Sequence, residues 1–309
     1  MAPISLDNAF VGLLYLLANS MGLVMYIIFL IIFRSKEPYR SSVTFKIMFC
    51  LGVVECLQMI SGVAAGMMTL AQYNIGGVFE MIVGGFNCAG LFGRPLFLFV
   101  LALNRFLSIM NIRMVKNSEK LFFNVLLVAA IGFPMSYFVW RMTGGKSHYS
   151  LQFDVFEAIP NKTINKITFT MDTVATSMAS FFYFCIFVKI LHTRENIKLV
   201  KTRSTDITVI VQAVITLGHA VVVKCGGGFL YRDLLPNRVF NVVFITWSLV
   251  MSLINPIFYL VCVRSLRKSF LEFCRLTQSS PKVYVKPRSV GSGTLPTTRT
   301  RSISSSVRF

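Results

Sequence analysis

Residues 8–33, 121–140 and 239–263 contain no Asp, Glu, Lys or Arg. Each run reaches or exceeds the roughly 20 residues that carry an α-helix across a hydrocarbon core. Backbone groups inside a bilayer find no water, so such runs must satisfy their own hydrogen bonds as helices or as strands of a closed barrel. The short alternating segments of a barrel are missing from the sequence. Four more stretches have spanning length and hold an ionisable residue: 47–71 with Glu55, 80–109 with Arg94, 167–190 with Asp172, and 207–231 with Lys224. The 309 residues are 55% hydrophobic and 14% charged, with a mean hydropathy of +0.68, far too apolar for a water-soluble domain. The expectation is an all-α membrane protein built as a seven-transmembrane helix bundle.

Orientation follows from the basic residues. With the N-terminus outside, the inner segments hold four Lys/Arg in 34–46, four in 105–120, five in 189–206 and ten in 264–309, which is 23 of the chain's 31. Short loops rich in Lys and Arg stay on the cytoplasmic side. The net charge of +19 is then a membrane-facing feature. No basic soluble domain exists to carry nucleic-acid binding, so no nucleic-acid partner is expected. The sequon Asn161-Lys162-Thr163 falls in a loop that this topology places outside, where glycosylation is possible.

After the seventh span, Leu266, Phe270 and Phe273 share one helical face, with Arg267 and Lys268 off it. This is the pattern of a short amphipathic helix lying on the inner leaflet. Cys274 at its end is a candidate for palmitoylation. The other cysteines fall mostly in or near spans and read as small buried hydrophobes. Residues 276–309 have no acidic residue, six Lys/Arg and thirteen Ser/Thr. Such a segment cannot bury enough apolar surface to fold. The domain reading is a receptor domain with its juxtamembrane helix over 1–275 and a disordered, basic, Ser/Thr-rich cytoplasmic tail over 276–309.

Particular motifs then point to a family. An Arg closes the third span in LALNRFLSI, and LINPIFYLV lies in the seventh, ahead of the basic amphipathic helix. With FKIMFCLGVVECLQ after a basic first loop, the chain resembles the nematode serpentine chemoreceptors among the G-protein-coupled receptors, most closely serpentine receptor class T. The similarity covers roughly residues 10–273. The resemblance implies a plasma-membrane sensory receptor that takes a small-molecule ligand and activates a heterotrimeric G protein. A receptor kinase and arrestin would act at the tail.

The same resemblance assigns roles. Asn104-Arg105-Phe106 matches the Asp-Arg-Tyr position of rhodopsin-like receptors, and Asn255-Pro256 with Tyr259 matches Asn-Pro-x-x-Tyr. Arg105 would meet the Gα subunit, with Tyr259 and Tyr183 supporting the open state. Asn19 and Glu55 resemble the polar markers of the first and second helices. Departures are plain: Asn104 cannot hold Arg105 by an ion pair, both partners of the usual outer disulfide are missing, and 207–231 lacks the usual Pro and Trp. The seventh span has no Lys for a retinal Schiff base, which argues against an opsin.

Arg94 needs a separate account. Glu55 lies nine residues above Lys46, and Arg94 eleven above Arg105, so helical rise places both about 13 to 17 Å from the inner edge. Ionised groups at that depth are costly and pair or face a polar interior. The reading is a Glu55–Arg94 ion pair joined by Asn255, with Asn19 in the same internal network. The alternative is Arg94 alone, hydrating an internal cavity.

Glu80, Asp172, His219 and Lys224 form a second polar set in the outer halves. They are candidates for a ligand pocket between helices. Each is equally readable as a satisfied intramembrane contact, and Asp172 and Lys224 as a pair. The chain's three His show no metal-ligand spacing and no catalytic constellation exists. No enzyme, cofactor or metal is expected. A transporter or ligand-gated channel with a polar path through Glu55, Arg94, Asp172 and Lys224 is the alternative, without detectable half-to-half repetition to support it.

Overall fold

The computed structural model describes residues 6–37, 39–112, 116–143, 147–152, 155–158, 162–196, 218 and 238–274. Among the described residues, five helices are long and apolar enough to cross a membrane: Asp7–Ser35, Val43–Ala71, Gly77–Ile109, Ser118–Thr143 and Lys166–Lys189. They lie within α1 (Leu6–Ser35), α2 (Val43–Ala71), α3 (Gly77–Ile109), α4 (Lys116–Thr143) and α5 (Lys162–Asn196). A sixth helix, α6 (Arg238–Cys262), corresponds to the seventh span of the sequence and carries the apolar stretch Ile245–Phe258. The short α7 (Arg264–Phe273) follows. The expected span at 207–231 lies outside the described residues, apart from Gly218.

One feature departs from an all-α chain. Between α4 and α5, strands β1 (Ser147–Ser150) and β2 (Val155–Ala158) pair antiparallel, with Tyr149 opposite Phe156. Four-residue strands have too little alternation to be read in a sequence.

Polarity is inverted relative to a soluble protein. Phe10, Leu13, Leu17, Met21, Val24, Ile27 and Ile31 form an exposed stripe along α1 at helical spacing, whereas Asn19, Glu55, Arg94 and Ser252 are buried. An apolar stripe of that length facing outward suits lipid.

Helices in lipid gain nothing from hiding apolar surface against each other, so close packing and polar contacts must hold them. The α1–α2 seam is built that way. A Cβ on Gly66 would stand 2.7 Å from the Leu16 backbone nitrogen and 2.9 Å from the Gly12 carbonyl. A Cβ on Gly62, one turn away, would collide with Asn19. The third helix uses the same device on two sides: Gly90 faces Gln58 of α2, and Gly93 faces Val54 of α2 and Pro134 of α4. These approaches bring α2 and α3 close enough for short polar side chains to meet.

Candidate functional site

Three polar sites lie along the bundle. At its middle, Arg94 Nε of α3 stands 3.2 Å from Glu55 Oε1 of α2. Glu55 is 0% exposed and Arg94 8%. The guanidinium also donates through Nη1 to Ser252 Oγ of α6 at 3.0 Å. Ser252 is a neighbour of the Glu55 carboxylate as well. The Tyr26 hydroxyl of α1 donates to the Ser252 carbonyl at 2.9 Å. Four helices therefore meet around one neutralised pair of charges.

Sequence reasoning assigned the third partner to Asn255. The structure gives a contact to Ser252, one turn earlier in α6, and the Asn255 side chain lies outside the described residues. Asn19 is buried, but its Nδ2 donates to Tyr15 O of its own helix at 2.7 Å, and its Oδ1 has no hydrogen-bond partner among the described residues. No hydrogen bond joins it to Glu55 or Arg94 among the described residues.

The second site lies where α3 ends. Thr44 Oγ1 of α2 donates to Asn104 Oδ1 at 2.8 Å. Arg105, next in sequence, is half-buried, and its charge reaches the Tyr183 hydroxyl of α5. Tyr183 is 3% exposed, and its hydroxyl has no hydrogen-bond partner among the described residues. It packs with Ala102, Ala179 and Ile186. Pro256 is buried within α6, while the side chains of Asn255 and Tyr259 are not described.

At this end α7 docks on α1. Leu266 is fully buried, Phe270 stacks at 5.7 Å from Phe29, and the Tyr39 hydroxyl meets Ser269 Oγ at 3.4 Å. Lys36 Nζ pairs with Glu272 Oε2 at 2.7 Å, which holds the Glu272 carboxyl below the usual carboxylate range. The apolar face of this amphipathic helix is thus partly spent on α1. Leu266 and Phe270 face protein, and only Phe273 of the three is largely exposed, at 46%. Cys274 is half-buried and carries a free thiol.

The third site is at the opposite end. Glu80 of α3 is 5% exposed and accepts the backbone N–H of Tyr149 from β1. The Tyr149 hydroxyl meets Thr69 Oγ1 at 2.7 Å, and its carbonyl accepts from Asn74 Nδ2 at 2.7 Å. Glu80 thus contacts the hairpin. Asp172 of α5 is half-buried and accepts from Thr176 at 3.3 Å. His219, Lys224 and Asn161 lie outside the described residues.

Arg141, which follows directly on the charge-free run 121–140, was missed by sequence reasoning. It belongs to α4 and is 2% exposed. Its Nη2 donates to Cys88 Sγ of α3 at 3.4 Å, and its guanidinium lies 5.7 Å from the Tyr137 ring centre and 5.8 Å from that of Trp140. The flanking Tyr137 and Trp140 were the only sequence signal, since aromatic rings are what shelter a cation there.

A family model described as serpentine type 7TM GPCR chemoreceptor Srt matches residues 2–282. The chain belongs to this family. No curated protein matches it. The Srt match extends across every element from α1 to α7. Class T was the class that the LALNRF and NPIFYL motifs resembled. An Srt chain is a seven-transmembrane receptor of chemosensory type, and the apolar helices of this one suit a multi-pass membrane protein.

Proposed function

We propose that this Srt chain is a plasma-membrane chemoreceptor, N-terminus outside, that binds a small extracellular molecule and activates a heterotrimeric G protein. The observation that carries the coupling half is the Arg105 end of α3. Asn104 is held by Thr44 of α2 and leaves Arg105 without a carboxylate from its neighbour. Tyr183 beside it keeps a hydroxyl that finds no partner among the described residues. A buried donor without a partner is costly, and movement of the helices that frees Arg105 also lets Tyr183 find one.

In this reading Arg105 receives the C-terminal segment of Gα, and Tyr183, Asn255, Pro256 and Tyr259 support the open state. The Glu55–Arg94–Ser252 centre holds the bundle together during the change. Tail serines and threonines are substrates for a receptor kinase that prepares arrestin binding. Cys274 carries a palmitoyl anchor and Asn161 a glycan. Against a transport path, Glu55 and Arg94 neutralise each other.

A panel of small volatile and water-soluble molecules, applied to cells that express the receptor with a G-protein activation reporter, tests the reading. G-protein activation is expected for some ligands, and its loss in Arg105→Ala. Ligand-gated current with a flat G-protein response would replace the reading by the channel alternative.

A further inference from the structure

Tyr149 comes from a loop hairpin, yet it is 1% exposed. Its ring lies in an apolar nest with Val11, Tyr15, Ala65, Met68 and Val83. The hydroxyl reaches Thr69, and the backbone nitrogen reaches Glu80. Taken as a small molecule, the stretch from nitrogen through two carbons to the phenol is the skeleton of 2-(4-hydroxyphenyl)ethylamine. The cleft already holds that shape.

One feature suits a cationic amine better than the peptide group in place. Glu80 is 5% exposed, and among the described residues no Lys, Arg or His nitrogen lies within 4.0 Å of its carboxylate. A neutral amide donor gives that buried carboxylate a hydrogen bond but no counter-ion, whereas an ammonium would give it both.

We propose that the cleft lined by α1, α2 and α3 at the Glu80 end binds a protonated 4-hydroxyphenylethylamine, and that Tyr149 is its tethered stand-in. The amine enters by displacing Tyr149 and the hairpin strand that carries it. The proposal rests on the chemoreceptor reading for an outward-facing cleft, and it names that site's ligand class. A tethered group competes at an effective concentration of roughly millimolar, so the intact receptor takes the amine weakly.

Membranes from cells expressing the full chain, titrated with radiolabelled 2-(4-hydroxyphenyl)ethylamine, test this, with surface expression followed through an N-terminal tag. Tyr149→Ala is expected to tighten binding about tenfold or more by removing the competitor. Tyr149→Phe, which keeps the nest filled and loses the Thr69 contact, should give a smaller gain and guards against misfolding of the alanine variant. Competing 4-ethylphenol, without the ammonium, and 2-phenylethylamine, without the hydroxyl, should each bind about tenfold more weakly, the size of one good hydrogen bond. Glu80→Gln should erase the first preference and Thr69→Val the second. No saturable amine binding, binding indifferent to Glu80→Gln, or no gain in either Tyr149 variant at normal surface expression would overturn the proposal. G-protein activation by other ligands without amine binding overturns this site alone. Amine binding with no G-protein response to any ligand overturns the chemoreceptor reading instead.

Discussion

The Thr44 hydroxyl donates to Asn104 Oδ1 at 2.8 Å, so the residue that precedes Arg105 is tied to α2 and leaves the arginine to other partners. The receptor's restraint on Arg105 is thus indirect, through the fixed end of α3.

Changes at this contact should separate coupling from folding. Arg105→Ala is expected to abolish G-protein activation at near-normal surface expression. Thr44→Val removes one hydrogen bond, worth about 0.5–1.5 kcal/mol, and should raise basal signalling. Asn104→Asp keeps an acceptor for Thr44 and adds an ionic partner for Arg105, so basal signal should fall. A higher basal signal in Asn104→Asp would contradict this account of the restraint.

The Glu55–Arg94 pair calls for a double-mutant cycle. Removing one partner leaves a buried unpaired charge, at a cost of about 3–5 kcal/mol. Glu55→Gln and Arg94→Gln should each strand the receptor inside the cell, and the double change should recover much of the surface population. Ser252→Ala removes only a hydrogen bond to a charged group, about 1.5–3 kcal/mol, and should be milder than either. A double variant as poor as the summed singles would mean that the two residues act independently.

Thermal denaturation in detergent should distinguish two glycines of similar appearance in the sequence. Gly66→Ala places a methyl against the backbone of Leu16 and Gly12, which cannot yield as a side chain tip can. The expected loss is about 1–3 kcal/mol, the usual cost of overpacking. Gly132 of α4 has no described residue within 4 Å of an added Cβ. There, alanine should be neutral or stabilise by up to about 1 kcal/mol through helix propensity. Equal losses at both positions would dismiss the α1–α2 seam as a special contact.

Acid should release α7. The hydrogen bond from Lys36, and then its charge, lower the Glu272 carboxyl, with Lys268 contributing. A group whose folded value is depressed stabilises the folded form above its unfolded value, and that stabilisation is lost as pH falls through the folded value. Docking of α7, followed by fluorescence transfer between labels at Ser35 and Phe273, should hold steady from pH 7 to about 5 and weaken below about 4. Glu272→Gln should flatten the dependence; an unaltered curve would assign it to other carboxylates.

Orientation is open to a direct measurement. With 23 of 31 basic residues on the proposed inner side, antibody should reach a tag at Met1 on intact cells and a tag after Phe309 only after permeabilisation. The opposite labelling would reverse the topology and turn the Glu80 cleft to the cytoplasm.

What was legible in the sequence had a period or a charge behind it. Charge-free runs marked α1, α4 and α6, and the matched depths of Glu55 and Arg94 followed from helical rise alone; their side chains lie 3.2 Å apart. Contacts made by ordinary residues were hidden. Ser252 is one serine in an apolar run, and nothing distinguishes it until α6 is packed against Arg94. Arg141 sat at the end of a run, where counting charges assigns a residue to the loop whether or not its side chain turns inward. Glu80 was visible as an outer polar residue, but its partner is a backbone N–H from a strand too short to show alternation.

The docking of α7 on α1 also has a consequence for how the chain is made. Lys36 and Glu272 are 236 residues apart in sequence. During synthesis α1 is made before α7, with the Phe29 ring and the Lys36 ammonium waiting for partners that emerge only after the helices between them. The Lys36 end of α1 is completed by the helix that follows α6. A chain that stops short of residue 264 therefore leaves an apolar notch and a cation without its carboxylate at that end of α1.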